Sequence, residues 1–191
     1  MNNKTLLIGT MLLIAILGAM YREFGPVEYG RLEQFLAAGN WQAADRETEQ
    51  IILKVSGRKW TGSIAGLLGW ENSLKHFPCK DLQTIDQLWL KYSDHHFGLS
   101  VQQQIFQSFD VNDFNGDWFG VWKAFHERVG WRYMFQSKGK PEFDLNAPRG
   151  HLPSPHWALA AGGTEKTAPW MSNALYLLQR VEACELSSGL E

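Results

Sequence analysis

A chain of 191 residues with 45% hydrophobic and 20% charged side chains is long enough to bury one sizeable core and too apolar to be disordered. Eighteen Lys and Arg against twenty Asp and Glu leave a net charge of -2, and the longest basic clusters are Arg58-Lys59 and Lys138-Gly139-Lys140. That excludes a nucleic-acid binder, which needs a concentrated cationic stripe to displace counterions.

In chain order, Thr5 to Tyr21 carries no charge and would span about 25 Å as a helix, the short end of a membrane crossing. A retained N-terminal transmembrane anchor is expected. A cleaved signal peptide competes, but candidate cleavage sites after Ala19 or Gly18 put Leu17 or Ile16 where a small residue is needed. Lys4 and the amino terminus balance Arg22 and Arg31, so charge does not fix the orientation. Residues 1–25 therefore read as anchor and linker, and 26–191 as the domain.

From Tyr29 the apolar spacing is helical. Leu32, Phe35 and Leu36 form one stripe ended by Gly39, and Asn40 can cap a second helix bearing Trp41, Ala44, Thr48, Ile51, Ile52 and Val55, which makes a helical hairpin. Gly57 and Gly62 mark a turn, and Ile64 to Leu74 is a Gly-broken apolar stretch, either a short helix or a packed loop. Leu82, Ile85, Leu88, Trp89 and Tyr92 mark a stronger helix behind Pro78. Ser100 followed by Gln103 has the pattern of a capping box opening a helix with Val101, Ile105, Phe106 and Phe109 on one side. Beyond Asn115-Gly116, Trp118, Val121, Trp122, Phe125 and Val129 repeat at three and four until Gly130. Periodicity is lost from Trp131 to Pro155, a long ordered loop, and Met171, Ala174, Leu175, Leu178 and Val181 suggest a last helix. No period-two run of useful length occurs, so the class is all-α.

The chain offers little catalytic chemistry. Asp110 to Asp117 looks like a calcium loop, but neither register supplies the Gly at position 6 and the Glu at position 12, so it reads as turn chemistry. His95-His96 lacks a third ligand and reads as a solvated loop. Cys79 and Cys184 are too few for a disulfide framework or a cysteine zinc site, and the simplest reading is two free thiols. Cys79 begins a helix, where the dipole can favour a thiolate, although a buried inert cysteine is the commoner case. Asp81 and Asp86 lie about 140° apart around a helix and cannot cooperate. No enzyme is expected.

Nine Trp and eleven Phe are more flat apolar surface than a small core usually requires, which suggests a planar partner. The segment Val129 to Pro153 joins aromatic Trp131 and Phe143 to Arg132, Asn146 and Arg149, the parts for a flat anionic ligand: rings stack on aromatics and guanidinium forks hold carboxylates. The plainer alternative is that Trp131 and Phe143 are core and Arg149 a solvated charge.

These residues resemble a family. Gly39 to Thr48, Phe77 to Trp89, Phe97 to Gln102, Val129 to Arg132 and Ala147 to Pro153 occur in the order and with the residue types of the Genomes Uncoupled Four domain. That family comprises tetrapyrrole-binding regulators of magnesium chelatase in cyanobacteria and chloroplasts. The resemblance covers about Tyr29 to Pro153. It implies a helical domain shaped like a cupped hand that holds protoporphyrin IX or its magnesium complex, without catalysis, and that activates the chelatase, with the large porphyrin-binding subunit as partner. It further implies that Asn146 approaches the porphyrin metal and Arg149 a propionate, that Trp131 belongs to the cleft wall, and that Phe97, Ser100 and Gln102 border it. With the anchor, the domain is expected on the cytoplasmic or stromal side of a membrane. Leu99 stands where the family more often has Phe, and Arg132 to Phe143 is short for the family's mobile flap. A membrane-tethered interaction module that keeps the fold without the ligand is the alternative.

Overall fold

The structure, a computed structural model, describes Met11 and residues 26–57, 74–131, 141–154 and 169–186, with side chains in the last segment from 174 onward. The expected anchor, the 64–73 stretch, Arg132 and most of the short flap lie outside the described residues. Among the described residues there is no strand, and no helix is long and apolar enough to cross a membrane.

Among the described residues six α-helices carry the domain: α1 (Gly30–Ala37), α2 (Trp41–Val55), α3 (Cys79–Ser93), α4 (Leu99–Gln107), α5 (Trp118–Arg128) and α6 (Pro169–Ala183), with a 3-10 turn at Val111–Phe114. The hairpin forms as its spacing predicts. Gly39 takes a positive φ of 65° to reverse the chain, and the Asn40 side chain accepts from the Ala43 N–H to cap α2. Helix α1 packs on α2 and α3, α4 on α5 and α6, and α3 on α6.

Two aromatic clusters fill the core. Trp41 stacks on Trp89 at 6.1 Å, and Phe97 meets both rings edge-on. Phe125 contacts Phe106 and Trp131 edge-on at 5.4 and 5.5 Å, with Trp122 beside it at 5.6 Å. Trp41, Trp89, Trp122 and Trp131 are all buried, so much of the aromatic surplus builds the core and does not await a planar partner; Trp118 alone among the described tryptophans is exposed. The Trp89 indole N–H donates to Thr48 Oγ1, which donates to the Ala44 carbonyl, so the polar atoms of this buried pair are satisfied.

Three local expectations are corrected. The cap of α4 is not a Ser100–Gln103 box. Gly98 is the N-cap and Ser100 lies inside the helix, its N–H donating to the Asp86 carboxylate of α3 at 2.9 Å. The helix end is capped from a neighbouring helix, and glycine is required because φ is 145° and a Cβ would stand 2.9 Å from the Asp86 oxygen. The cysteines are not free thiols: Cys79 at the start of α3 is disulfide-bonded to Cys184 just beyond α6. The fold brings helix ends together that sequence distance hides. Of the His95-His96 pair, His95 is exposed as expected, but His96 is half-buried, its Nε2 bonded to the Ala147 carbonyl at 2.8 Å and its ring packed on Phe97. The 110–117 run is the expected turn chemistry, with Asp110 accepting from Asn112 N–H and Asp117 from Phe119 N–H.

Candidate functional site

The segment 141–154 has no helix, and apart from short local turns such as Ala147 N–H to the Asp144 carbonyl its backbone groups need partners from outside it. They come from buried side chains and from one edge of α4. The Gln102 amide, on α4, donates to the Gly150 and Pro153 carbonyls at 3.0 and 2.8 Å. The Gly150 N–H donates to the His96 carbonyl, and the Gly98 N–H to the Leu152 carbonyl. At the far end, both oxygens of Asp45 on α2 accept from Ser154, one from its N–H and one from its hydroxyl, each at 2.6 Å. The Leu152–Pro153 peptide is cis.

His151 is the internal pivot. Its Nε2 accepts from the Glu142 N–H at 2.9 Å, which leaves Nδ1 as the protonated nitrogen that donates to the Val129 carbonyl at 2.7 Å. Burial pushes its pKa down, so the neutral tautomer that can serve both bonds is favoured. The His151 carbonyl in turn takes the Trp131 indole N–H at 2.7 Å.

Burial of charge is tolerated unevenly around this frame. Desolvation raises the Asp45 pKa to about 7 in spite of its two Ser154 bonds, and raises that of Asp86 against the bonds it accepts from α4. The sequence reading considers Asp86 only as a catalytic partner for Asp81, and neither carboxylate as a structural acceptor, because nothing in an apolar repeat announces which interior position will hold a cap for another element.

The residues expected to line a ligand cleft divide into two groups. Phe97, Ser100, Gln102 and Trp131 are buried, at 0%, 0%, 3% and 2% exposure, and form the floor beneath the loop. Phe97 belongs to the Trp41–Trp89 cluster, and the polar groups of Gln102 and Trp131 are already engaged by loop carbonyls. In this structure they support the loop, and Gln102 and Trp131 also line a small apolar gap with Leu99, Leu177 and Leu178. Asn146 and Arg149 are exposed on the loop's outer side with Leu145, while Phe143 is half-buried. The Arg149 Nη2 donates to Gln104 Oε1 at 3.2 Å, which points the guanidinium along the exposed flank of α4. The Asn146 N–H is held by Asp144 Oδ1 at 2.7 Å. A cation, an amide and an apolar side chain are thus presented on a backbone pinned from below, a donor set that fits a flat ligand bearing carboxylates. Among the described residues no cluster of His, Cys, Asp and Glu could hold a metal ion by itself.

An all-helical domain with a side-chain-tethered polar loop is the class that the geometry defines. The GUN4-like family model matches residues 24–167, and the chain belongs to that family. The uncharacterised protein ycf53 of Porphyra purpurea is 33% identical over 135 residues, 66% of this chain and 50% of that protein. A chloroplastic tetrapyrrole-binding protein of Arabidopsis thaliana is 33% identical over 127 residues, 64% of this chain and 46% of that protein. The chain spans about half the length of these curated relatives. Among solved structures, ligand-free GUN4 of Arabidopsis thaliana superposes with a TM-score of 0.53 at 25% identity, covering 78% of this chain and 95% of that one. GUN4 of Chlamydomonas reinhardtii does so with a TM-score of 0.53 at 23% identity, covering 78% and 86%, a likeness of fold.

Proposed function

We propose that the chain is a tetrapyrrole-binding regulator, tethered to a membrane by residues 1–25, that binds protoporphyrin IX or its magnesium complex and raises magnesium chelatase activity without catalysing a reaction itself. The observation that carries this reading is the pinned loop 141–154, which leaves Arg149 and Asn146 exposed while Gln102 and Asp45 hold its backbone from buried positions on the helices. Arg149 suits a propionate, and Leu145 with the half-buried Phe143 suits the edge of a macrocycle. The similarity to a tetrapyrrole-binding protein supports the ligand class.

Burying about 400 Å² of macrocycle is worth roughly 10 kcal/mol gross at about 25 cal/mol per Å². Association and ordering costs take back a good part of it, so a dissociation constant near ~1 μM, about -8 kcal/mol, is expected. Titrating the protein with deuteroporphyrin and following tryptophan quenching tests this. Saturable quenching in the micromolar range upholds the reading; no saturation at ~100 μM would leave a family member that keeps the fold as an interaction module. The chelatase role also needs the domain on the cytoplasmic or stromal face, and protease protection that places it on the opposite face would remove that role.

A further inference from the structure

The disulfide joins the first residue of α3 to the residue that follows α6, so it pins the C-terminal helix onto the domain. Among the described residues, side-chain hydrogen bonds also tie α6 to the domain, and Gln103 on α4 reaches Glu182 at 3.5 Å. The Arg180 Nε donates to the Phe77 carbonyl at 2.8 Å, and Gln107 donates to Glu182 at the exposed surface at 3.1 Å. The apolar face of α6 lies against the floor of the loop. Ala174, Leu177 and Leu178 face Gln102, Trp131 and Pro153 across a small apolar gap. Gln102 and Trp131 are the residues that hold the Gly150, His151 and Pro153 carbonyls. A gap in a packed interface forfeits dispersion contacts on both of its walls, so this seam is held less by close packing than the aromatic clusters are.

We propose that the Cys79–Cys184 disulfide is a redox latch: while it is closed α6 braces the floor of the 141–154 loop, and when a dithiol reductant opens it α6 loosens and the loop loses its ligand-ready geometry. The inference rests on the porphyrin-binding reading for its consequence, though not for its structural half. On the cytoplasmic or stromal side thiols are kept reduced, and a disulfide there is typically transient and regulatory. Both cysteines are half-buried, not sealed in the core. Their positions also set the direction of exchange. Cys79 stands at the N-terminus of a fifteen-residue helix, where the dipole stabilises a thiolate and makes it the better leaving group. Cys184 follows the C-terminus of α6, where the dipole opposes a thiolate. The reductant's thiolate therefore attacks Cys184 Sγ, a mixed disulfide forms there, and Cys79 leaves as thiolate and takes up a proton. The reductant's second thiol then attacks its own sulfur in the mixed disulfide and frees Cys184 as a thiol. Two electrons and two protons pass to the protein, and the reductant becomes a disulfide.

Hydrogen exchange of the porphyrin-free protein, with and without dithiothreitol, reads the structural half. Quenching by deuteroporphyrin reads the consequence. After reduction, amides in 174–183 and in 141–154 should exchange at least about tenfold faster, and deuteroporphyrin should bind about three- to tenfold more weakly. Cys79→Ser with Cys184→Ser should resemble the reduced protein and ignore dithiothreitol. Two titratable thiols in the unreduced protein, or faster exchange confined to 174–183 with the loop unchanged, overturns the latch. If neither redox form binds deuteroporphyrin the function proposed above fails, and the exchange data still decide whether the latch exists.

Discussion

Helices α1 to α3 and the loop 141–154 both put backbone groups out of water, and they do so with opposite materials. In the helices the ladder is internal, and α1, α2 and α3 are joined by apolar burial: Leu32, Ile52, Leu82, Ile85 and Trp89 are all at or below 1% exposure. Lost packing there is lost cooperatively, because each side chain touches several elements. The loop has no ladder. It is held by one or two bonds each from Gln102, Trp131, His151, His96 and Asp45, every one of which joins residues at least nine positions apart. The difference teaches where damage should spread: from the core to the whole domain, from the loop's tethers to the loop alone.

The largest effect should come from breaking the apolar side. Trp89→Ala removes a ring packed against both Trp41 and Phe97 and leaves Thr48 Oγ1 without its donor. A loss of about 3–5 kcal/mol is expected, measured by urea unfolding followed by circular dichroism, with helix and loop signals lost in one transition. Separate transitions for loop and helices would mean that the core is less cooperative than its packing implies.

The second effect concerns the polar side and has a sign. Asp45 has a pKa of about 7 in the folded protein against an ordinary 3.8, owing first to desolvation. The folded state therefore holds more protons than the unfolded state between these values, and the stability Asp45 contributes falls as pH rises across that window, by on the order of 1 kcal/mol per pH unit at the steepest. His126 acts the other way. Burial lowers its pKa to about 3, so stability falls as pH drops from its ordinary 6.5. Comparing wild type with Asp45→Asn isolates the first group, because the amide oxygen can still accept from Ser154. The stability advantage of wild type over the variant should shrink from pH 4 to pH 7 and stay level above it. An advantage that grows with pH over that range would show Asp45 buried as a stabilised anion.

The same contrast explains what the sequence makes legible. The hairpin, α3, α5 and the stop at Gly130 follow from spacings of three and four and from Asn40 and Gly39, signals that act within one turn of the chain. The cap on α4 does not, because its acceptor, Asp86, is fourteen residues away on another helix, and a serine three before a glutamine imitates a local cap. The Asp45–Ser154 pair spans 109 residues and the disulfide 105, and no periodicity encodes either. For the site, the residue types that resemblance pointed to are gathered around one loop, yet their division into floor and outer face depends on which polar atoms the loop's carbonyls claim. That is a property of the folded backbone.

The smallest effects belong to the loop's outer face and separate two roles there. Arg149 is exposed, and its bond to Gln104 is neutral on the acceptor side, so Arg149→Ala should barely change stability. If its guanidinium holds a propionate, the variant should bind every carboxylate-bearing porphyrin about tenfold more weakly, since a charge-assisted bond shared with solvent is worth about 1.4 kcal/mol. The metal in the ring is irrelevant to that loss. Asn146→Ala should behave differently. Its local bond to Asp144 runs through the backbone N–H, which alanine keeps, so the loop should hold its shape. The amide oxygen is a hard donor suited to magnesium, and if it serves as one its contribution exists only when the ring carries the metal. The loss should therefore fall on magnesium porphyrin and spare the free base. Affinities of both variants for the two porphyrins, taken beside their melting curves, decide between the roles. Equal losses for the two ligands with a lowered melting temperature would make Asn146 a scaffold residue of the loop, and a free-base loss limited to Arg149→Ala would leave the carboxylate contact standing alone.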